Sequence, residues 1–219
     1  MQGAGVILSR DDARRLEDCL GGDGVALIPT DTVYGLACNP ESETAVRRIY
    51  ELKGRPALKP SAVMFFAREP ALESLSELGP RTRAVLDALL PGPVTLLLEN
   101  SSRRFPLACD PGAGGGAGAG LLGLRVPLLD GPLAALAGVG VPAAQSSANL
   151  SGGADPRDLR SVPIELRKGV DLMLDGGELP GVASTVIDLS EYEQNGRWRI
   201  VREGPLDAAF IQTALDSSC

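Results

Sequence analysis

Apolar residues follow two different spacings along this chain, and the two spacings alternate. Apolar positions three or four residues apart indicate amphipathic helices, whereas short continuous apolar runs indicate buried strands. By this criterion we predict helices over 10–20, 42–52, 81–90 and 131–137, and a terminal helix from 205 onward. The continuous runs predict strands over 25–29, 62–66, 94–98, 121–126, 141–144, 172–174, 184–189 and 197–201.

Residues at the ends of these segments support the boundaries. Ser9 and Ser42 can cap the first two helices, and Pro56 prevents the second from continuing. The last two strands are predicted to pair as a hairpin across 191–196, with Asn195-Gly196 as the turn former. Alternating helices and strands predict a mixed α/β fold, with residues 112–120 as a glycine-rich loop. No repeat or linker interrupts the chain, so we predict one domain over 1–219 with its core at about 8–216.

Charge and composition exclude several classes of function. The net charge of −7 argues against nonspecific coating of nucleic acid, because such binding needs many contacts between basic side chains and phosphates. Histidine is absent, which excludes histidine-based catalytic triads and histidine-ligated metals. The four cysteines have no metal-like spacing, and we see no signal peptide and no apolar run long enough to span a membrane. We therefore expect free thiols, no metal ligands in the protein and a cytoplasmic location.

Basic residues cluster in one short segment. Lysine occurs only three times, and two of these lysines, Lys53 and Lys59, flank Arg55 in a segment broken by Gly54 and Pro56. Such a segment leaves a helix and turns, so its three cations can converge on a polyphosphate, to which arginine offers a planar fork and lysine a point charge. A solvated basic helix end, which is favourable with the helix dipole, is the alternative explanation.

Small polar residues follow two of the predicted strands. Thr32 lies in Pro29-Thr-Asp-Thr-Val-Tyr-Gly35, where hydroxyls and a carboxylate at a strand end can reach a ligand above the sheet. Ser147 and Asn149 lie in a second polar segment, 145–149, whose small side chains let backbone N–H groups approach an anion. Both segments also fit a purely structural role as caps and turns.

Two arginines occupy positions where a solvated side chain is unusual. Arg125 lies within a predicted strand, and Arg202 directly follows another. A buried guanidinium needs an anion or a carboxylate as its partner. Both arginines are therefore candidates for anion binding.

Taken together, these segments resemble the YrdC family of L-threonylcarbamoyladenylate synthases over about residues 8–216. The matching segments are Pro29-Thr-Asp-Thr-Val-Tyr-Gly-Leu, Lys53-Gly-Arg-Pro, Pro91-Gly-Pro-Val-Thr, Leu124-Arg-Val-Pro, Ser147-Ala-Asn-Leu-Ser-Gly, Ser184-Thr-Val-Ile-Asp-Leu and Arg202-Glu-Gly. Each segment is weak alone, but seven in the family's order are specific. The resemblance implies an α/β fold with a twisted, mixed, mostly parallel sheet, flanking helices and a large concave cleft.

The resemblance also implies a reaction. Bicarbonate and L-threonine form threonine carbamate, which attacks the α-phosphate of ATP to give threonylcarbamoyl-AMP and diphosphate. Mg²⁺ would accompany ATP, and a partner transferase would pass the threonylcarbamoyl group to the adenosine beside the anticodon of tRNA. The alternative is a noncatalytic module that binds double-stranded RNA or tRNA in its cleft. A carbamoyl-phosphate-using relative from hydrogenase maturation is disfavoured, because its companion acylphosphatase and zinc-finger modules do not occur in this sequence.

Matched motif by motif, the resemblance implies two groups of site residues. Threonine would be held by Thr32, Arg125, Gln145 and Ser184, and the nucleotide by Arg55, Lys59, Ser147 and Arg202. The family's catalytic set corresponds to Lys53, Arg55, Ser147 and Asn149. The sequence departs from the family at Met64, where a polar residue is common, and at Lys59, where asparagine is common.

Overall fold

The computed structural model describes residues 6–54, 60–109 and 120–217. Its α-helices are α1 Arg10–Gly21, α2 Glu43–Leu52, α3 Arg68–Ser74, α4 Pro80–Leu89, α5 Pro106–Cys109, α6 Ile164–Gly169, α7 Tyr192–Asn195 and α8 Ala208–Asp216, and a 3-10 helix covers Gly131–Gly138. Its strands are β1 Val25–Ile28, β2 Gly35–Cys38, β3 Ala62–Met64, β4 Val94–Glu99, β5 Leu121–Arg125, β6 Ala143–Ser147, β7 Leu172–Met173, β8 Thr185–Asp188 and β9 Arg199–Arg202.

The strands of the described part of the chain form one open sheet in the order β7-β1-β2-β6-β3-β5-β4-β8-β9. The pairings of β1 with β7, β3 with β5 and β4 with β8 are parallel. The other five pairings are antiparallel, including that of β8 with β9. The predicted mixed α/β sheet with flanking helices is therefore confirmed, and antiparallel neighbours are more numerous in it than parallel ones.

Helix starts follow local capping chemistry. The Ser9 hydroxyl accepts the Asp12 backbone N–H at 3.2 Å, and the Asp12 carboxylate accepts the Ser9 backbone N–H at 2.9 Å, which forms a capping box at α1. The Ser42 hydroxyl accepts the Ala45 N–H and starts α2 as predicted. The terminal helix begins later than predicted, because Asp207 rather than Pro205 caps it by accepting the Phe210 N–H.

The structure differs from the predicted elements in three respects. Strand β2 and four short helices, α3, α5, α6 and α7, were not predicted. The segment 131–138 is a 3-10 helix, whereas an ordinary short helix was expected. Strand β6 extends to Ser147, so Gln145 and Ser147 belong to a strand, and the expectation that 145–149 follows a strand is wrong. The β8–β9 hairpin is confirmed, with Gly196 in the left-handed region at φ 72° at the end of α7.

The two faces of the central strands differ in chemistry. Alternate side chains of a strand point to opposite faces of a sheet. One face carries the apolar positions Val63, Leu96, Leu98, Leu122, Leu124 and Ala144, all buried. The other face carries Ala62, Thr95, Leu97, Gly123, Arg125, Gln145 and Ser147, and these residues line a cavity. The sheet therefore builds its core with one face and a polar cleft with the other.

The thiols agree with the expectation of free cysteines. Cys19, Cys38 and Cys109 form no disulfide with one another, and Cys219 lies outside the described residues. Burial raises the pKa of the Cys38 thiol to about 12, so this side chain behaves as a small apolar core residue. Among the described helices, none combines the length and the apolar character needed to cross a membrane.

The Glu193 carboxylate caps α4 from a distant part of the chain, and this contact supports a stability prediction. It accepts the backbone N–H and the hydroxyl of Thr82, each at 2.8 Å. Partial burial raises the pKa of Glu193, but the hydrogen bonds from Thr82 outweigh it, so the pKa lies below its usual value. We expect Glu193→Gln to lower the free energy of unfolding by about 1 kcal/mol at pH 7, measured by urea denaturation.

The effect of Glu193 should depend on pH in a defined direction. A carboxyl whose folded-state pKa is lowered stabilises the fold above its unfolded-state pKa of about 4.3 and loses this contribution as the pH falls through the folded-state value. The difference between the two proteins should therefore disappear in strongly acidic solution. Glu41→Gln, at an exposed position, is the control and should have no measurable effect. A difference between wild type and Glu193→Gln that stays constant down to low pH would contradict this assignment.

Candidate functional site

A cavity of about 370 Å³ lies over the middle of the sheet. Its lining combines small residues with polar and charged ones: Val33, Pro60, Ser61, Ala62, Thr95, Leu97, Leu121, Gly123, Arg125, Gln145, Ser146, Ser147, Ala183, Ser184, Val186 and Arg202. The size suits a small polar ligand or part of a larger one. The two arginines give the cavity its electrostatic character.

Arg125, at the end of β5, is buried with 3% of its surface exposed. Its Nη2 donates to the Thr30 hydroxyl at 3.1 Å, to the Asp31 carboxylate at 2.7 Å and to the Thr32 hydroxyl. Its Nε is buried and has no hydrogen-bond partner among the described residues. A buried donor without a partner is costly, so an anionic acceptor beside the Arg125 guanidinium would be favourable.

Asp31 fixes the position of Arg125. One of its carboxylate oxygens accepts from Arg125, and the other accepts the Leu128 backbone N–H at 3.0 Å. The carboxylate offsets part of the cost of burying the guanidinium and holds it from one side. Asp31 was recognised in the sequence as part of the Pro29–Gly35 segment but was not predicted as a site residue.

Arg202 lies in the edge strand β9 and lines the same cavity as Arg125. Its Nε and Nη2 donate to the Ser184 carbonyl at 3.1 and 2.8 Å, and Nη2 also reaches the Ser184 hydroxyl at 3.1 Å. Partial burial of the guanidinium and the positive charge of Arg125 lower the pKa of Arg202, whereas the carboxylate of Asp155 acts in the opposite direction. An arginine stays protonated despite such a shift, so the cavity holds two cations that repel each other. An anion between them would relieve this repulsion.

Lys53, Ser147 and Asn149 form a hydrogen-bonded cluster at the rim of the cavity. Lys53 caps the end of α2 and is buried, with 3% of its surface exposed. Its Nζ donates to the Ser147 carbonyl and to Asn149 Oδ1, the latter at 3.2 Å, and Asn149 Oδ1 also accepts from the Ser147 hydroxyl at 2.8 Å. The Asn149 amide nitrogen donates to the Gly153 carbonyl at 2.7 Å. The cluster therefore joins a helix end, a strand end and a loop.

Gln145 is buried in β6 with 4% of its surface exposed, and it lines the cavity. Its side chain lies against Gly35 of the neighbouring strand β2. A Cβ atom at Gly35 would lie 2.3 Å from Gln145 Nε2, which is closer than atoms can approach. A larger residue at position 35 would therefore displace the Gln145 side chain from its observed position.

The structure brings most of the predicted site residues together. Arg125, Gln145, Ser147, Ser184 and Arg202 line the cavity, Thr32 is bonded to Arg125, and Lys53 and Asn149 are bonded to Ser147. Arg55 and Lys59 lie outside the described residues, as do 112–119 of the glycine-rich loop. Met64 is buried and pairs with Arg125 in the β3–β5 register. Thr95 lines the cavity and was missed, although it ends the Pro91-Gly-Pro-Val-Thr segment.

The fold and the cavity define an α/β protein with a polar cleft whose lining includes two arginines. A family model with the description telomere recombination, that of the Sua5/YciO/YrdC proteins, matches residues 18–204. The chain belongs to this family.

Relatives and a solved structure agree with this membership. A Pyrococcus abyssi protein named threonylcarbamoyl-AMP synthase is 34% identical over 165 residues, which cover 75% of this chain and 46% of that protein. A Mus musculus protein of the same name is 35% identical over 191 residues, with 82% of this chain and 62% of that protein covered. The crystal structure of P. abyssi Sua5 complexed with L-threonine superposes with a TM-score of 0.79 at 30% identity, covering 94% of this chain and 58% of that one. The chain thus spans about half to three fifths of the length of these relatives.

Proposed function

We propose that this protein is an L-threonylcarbamoyladenylate synthase, which forms threonylcarbamoyl-AMP and diphosphate from L-threonine, bicarbonate and ATP. The observation that carries the proposal is the single cavity lined by both Arg125 and Arg202 and bordered by the Lys53–Ser147–Asn149 cluster. The names of the Pyrococcus abyssi and Mus musculus relatives support it. The substrates, bicarbonate included, belong to the proposal.

One part of the cavity suits L-threonine. Arg125 lines the cavity, so its guanidinium can pair with an amino-acid carboxylate while Nη2 stays on Thr30, Asp31 and Thr32. Gln145 and Ser184 add an amide and a hydroxyl on the same lining. These groups can hold both the charged and the polar ends of threonine. The bound L-threonine of P. abyssi Sua5 is consistent with this assignment.

The other part suits the nucleotide. We assign ATP to Arg55, Lys59, Ser147 and Arg202, with Lys53 and Asn149 in the catalytic set. Lys53 holds the carbonyl of Ser147 and the side chain of Asn149, so it orients the strand end that would face the phosphates. Arg202 supplies a guanidinium that is already held by Ser184 and needs little reorganisation when a phosphate binds.

The proposed chemistry needs alignment and charge neutralisation more than a dedicated base. A carbamate oxygen of N-carboxythreonine forms a bond to the α-phosphorus of ATP, and the bond from that phosphorus to the bridging oxygen breaks. Diphosphate leaves with the electron pair. Because the carbamate is already an anion, no histidine is required to activate it.

Mg²⁺ is the ion we expect to arrive with ATP. The donors around the nucleotide part are the hydroxyl of Ser147 and the carboxylate of Asp155, which lies 3.4 Å from the Asn149 amide nitrogen. Hard oxygen donors of this kind fit Mg²⁺, which keeps most of its coordination for phosphates and water. In the described part of the chain, no three histidine, cysteine, aspartate or glutamate side chains lie together so that they could hold a metal ion. The ion would neutralise phosphate charge.

The product would be consumed by a transferase that modifies the adenosine beside the anticodon of tRNA. This destination places the reaction in the cytoplasm in our proposal. The product is a reactive mixed anhydride, so an efficient transfer requires the acceptor enzyme to take it soon after its release.

A diphosphate-release assay tests the proposed reaction directly. Purified protein with ATP, Mg²⁺, bicarbonate and L-threonine should release diphosphate, and ¹⁴C-bicarbonate should enter a product that contains AMP. Removing either L-threonine or bicarbonate should abolish both signals. Release that does not depend on threonine, or no release at all, would overturn the substrate assignment. RNA binding without turnover, weakening steeply with salt, would support the noncatalytic alternative instead.

A further inference from the structure

Two hydroxyls in the cavity wall leave one hydrogen without an acceptor among the described residues. Thr95 Oγ1 and Ser184 Oγ lie 2.8 Å apart, and we call them the Thr95–Ser184 hydroxyl pair. Each hydroxyl carries one hydrogen, and their mutual hydrogen bond uses one of the two. Among the described residues, neither oxygen has a further acceptor within hydrogen-bond distance. One O–H donor of the pair therefore remains unused.

Burial makes this unused donor significant. Thr95 is 8% exposed and Ser184 1% exposed, and both line the cavity. The third group at the pair, Arg202 Nη2, is itself a donor to the Ser184 oxygen at 3.1 Å and cannot accept the spare hydrogen. Whichever hydroxyl donates to the other, the remaining hydrogen has no acceptor among the described residues, and both hydroxyls belong to residues that line the cavity. The guanidinium beside it favours a negatively charged acceptor.

We infer that the Thr95–Ser184 hydroxyl pair acts as one donor to an anionic oxygen of the bound amino acid, which makes Thr95 a ligand-binding residue. This inference rests on the proposed function, because it takes the L-threonine carboxylate as the acceptor. Either hydroxyl can supply the hydrogen, since the bond between the two can reverse direction. The pair should therefore tolerate the loss of one member and fail when both are lost.

This redundancy predicts the sign of a double-mutant cycle. Thr95→Val and Ser184→Ala should each weaken L-threonine binding by only about 2- to 4-fold, because the surviving hydroxyl donates to the ligand. The double variant should lose the charge-assisted hydrogen bond altogether and bind at least about 30-fold more weakly. That loss is larger than the product of the two single effects. If the bond between the two hydroxyls is purely structural, the loss in the double variant should be smaller than the product of the two single losses. The first substitution already removes the bond, and the second adds little.

The measurement is the dissociation constant for L-threonine by titration calorimetry, with the melting temperature of each variant recorded. Thr95→Ser keeps the hydroxyl and should bind within about 2-fold of wild type. L-2-Aminobutyrate, which lacks the side-chain hydroxyl, should show the same double-variant loss if the carboxylate is the acceptor. If the double variant does not fold, Thr95→Cys with Ser184→Ala replaces it, because a thiol is a weak donor.

The outcomes separate this inference from the proposed function. Suppose that the wild type binds L-threonine and releases diphosphate, but the loss of affinity in the double variant is equal to or smaller than the product of the two single losses. This result would overturn the inference about the hydroxyl pair and leave the proposed function standing. A loss confined to L-threonine and absent with L-2-aminobutyrate would overturn the carboxylate as acceptor. Wild type that does not bind L-threonine at all would overturn the proposed function and this inference with it.

Discussion

A lysine in place of Arg125 is expected to lower kcat/KM for L-threonine by about 100-fold or more. One nitrogen of the guanidinium already contacts Thr30, Asp31 and Thr32, and the side chain also lines the cavity that we assign to the ligand. A lysine ammonium can keep the ion pair with Asp31 but cannot reach the ligand in the same fixed geometry. We chose lysine because alanine would leave the buried Asp31 carboxylate without its partner and destabilise the fold.

The measurement is steady-state diphosphate release as a function of L-threonine concentration. Arg14→Lys, at an exposed position on α1, is the matched control and should behave as wild type. A melting temperature close to that of wild type is required for the Arg125 result to count as a change at the site. Activity of Arg125→Lys near the wild-type value would show that the ligand does not use this arginine.

Lys53→Met is expected to reduce kcat for diphosphate release at least about 100-fold. The substitution removes a buried positive charge beside the proposed phosphate site. It also removes the two hydrogen bonds that hold the Ser147 carbonyl and Asn149 Oδ1. Methionine has a similar length and is apolar, so the space of the side chain stays filled.

Lys168→Met makes the same chemical change at an exposed lysine on α6 and should leave kcat unchanged. Urea denaturation of both variants separates loss of activity from loss of stability. If Lys53→Met lowers the free energy of unfolding but retains its turnover, Lys53 is a structural residue and its place in the catalytic set is wrong.

Elements with local signals were predictable from the sequence, whereas elements that depend on distant neighbours were not. Helix α2 was predicted closely because its cap, Ser42, and its inward residues lie within the helix or next to it. Strand β2 has only four residues, all buried, and no alternation of apolar and polar positions. It is stabilised by β1 on one side and by β6, more than a hundred residues away, on the other. No local pattern contains that information.

The same distinction applies to the site. Arg125 was singled out because an arginine inside an apolar strand conflicts with its surroundings, and a conflict of this kind is visible in one short segment. Asp31 and Thr95 were not singled out, because their importance comes from distant contacts. Asp31 contacts Arg125, 94 positions away, and Thr95 contacts Ser184, 89 positions away. An aspartate or threonine at those positions is unremarkable until the fold places Arg125 and Ser184 beside it.

The position of Arg202 on the edge strand β9 gives the cavity walls unequal resistance to opening. Arg125 is held in the interior of the sheet, where β5 has a strand on either side. β9 has only β8 beside it, and the pairing of the two strands is irregular between Val186 and Ile187. Edge strands open by local unfolding at a lower free energy than central ones. The wall with Arg202 can therefore separate while the wall with Arg125 stays closed, which would let the nucleotide end of the proposed product detach before its amino-acid end.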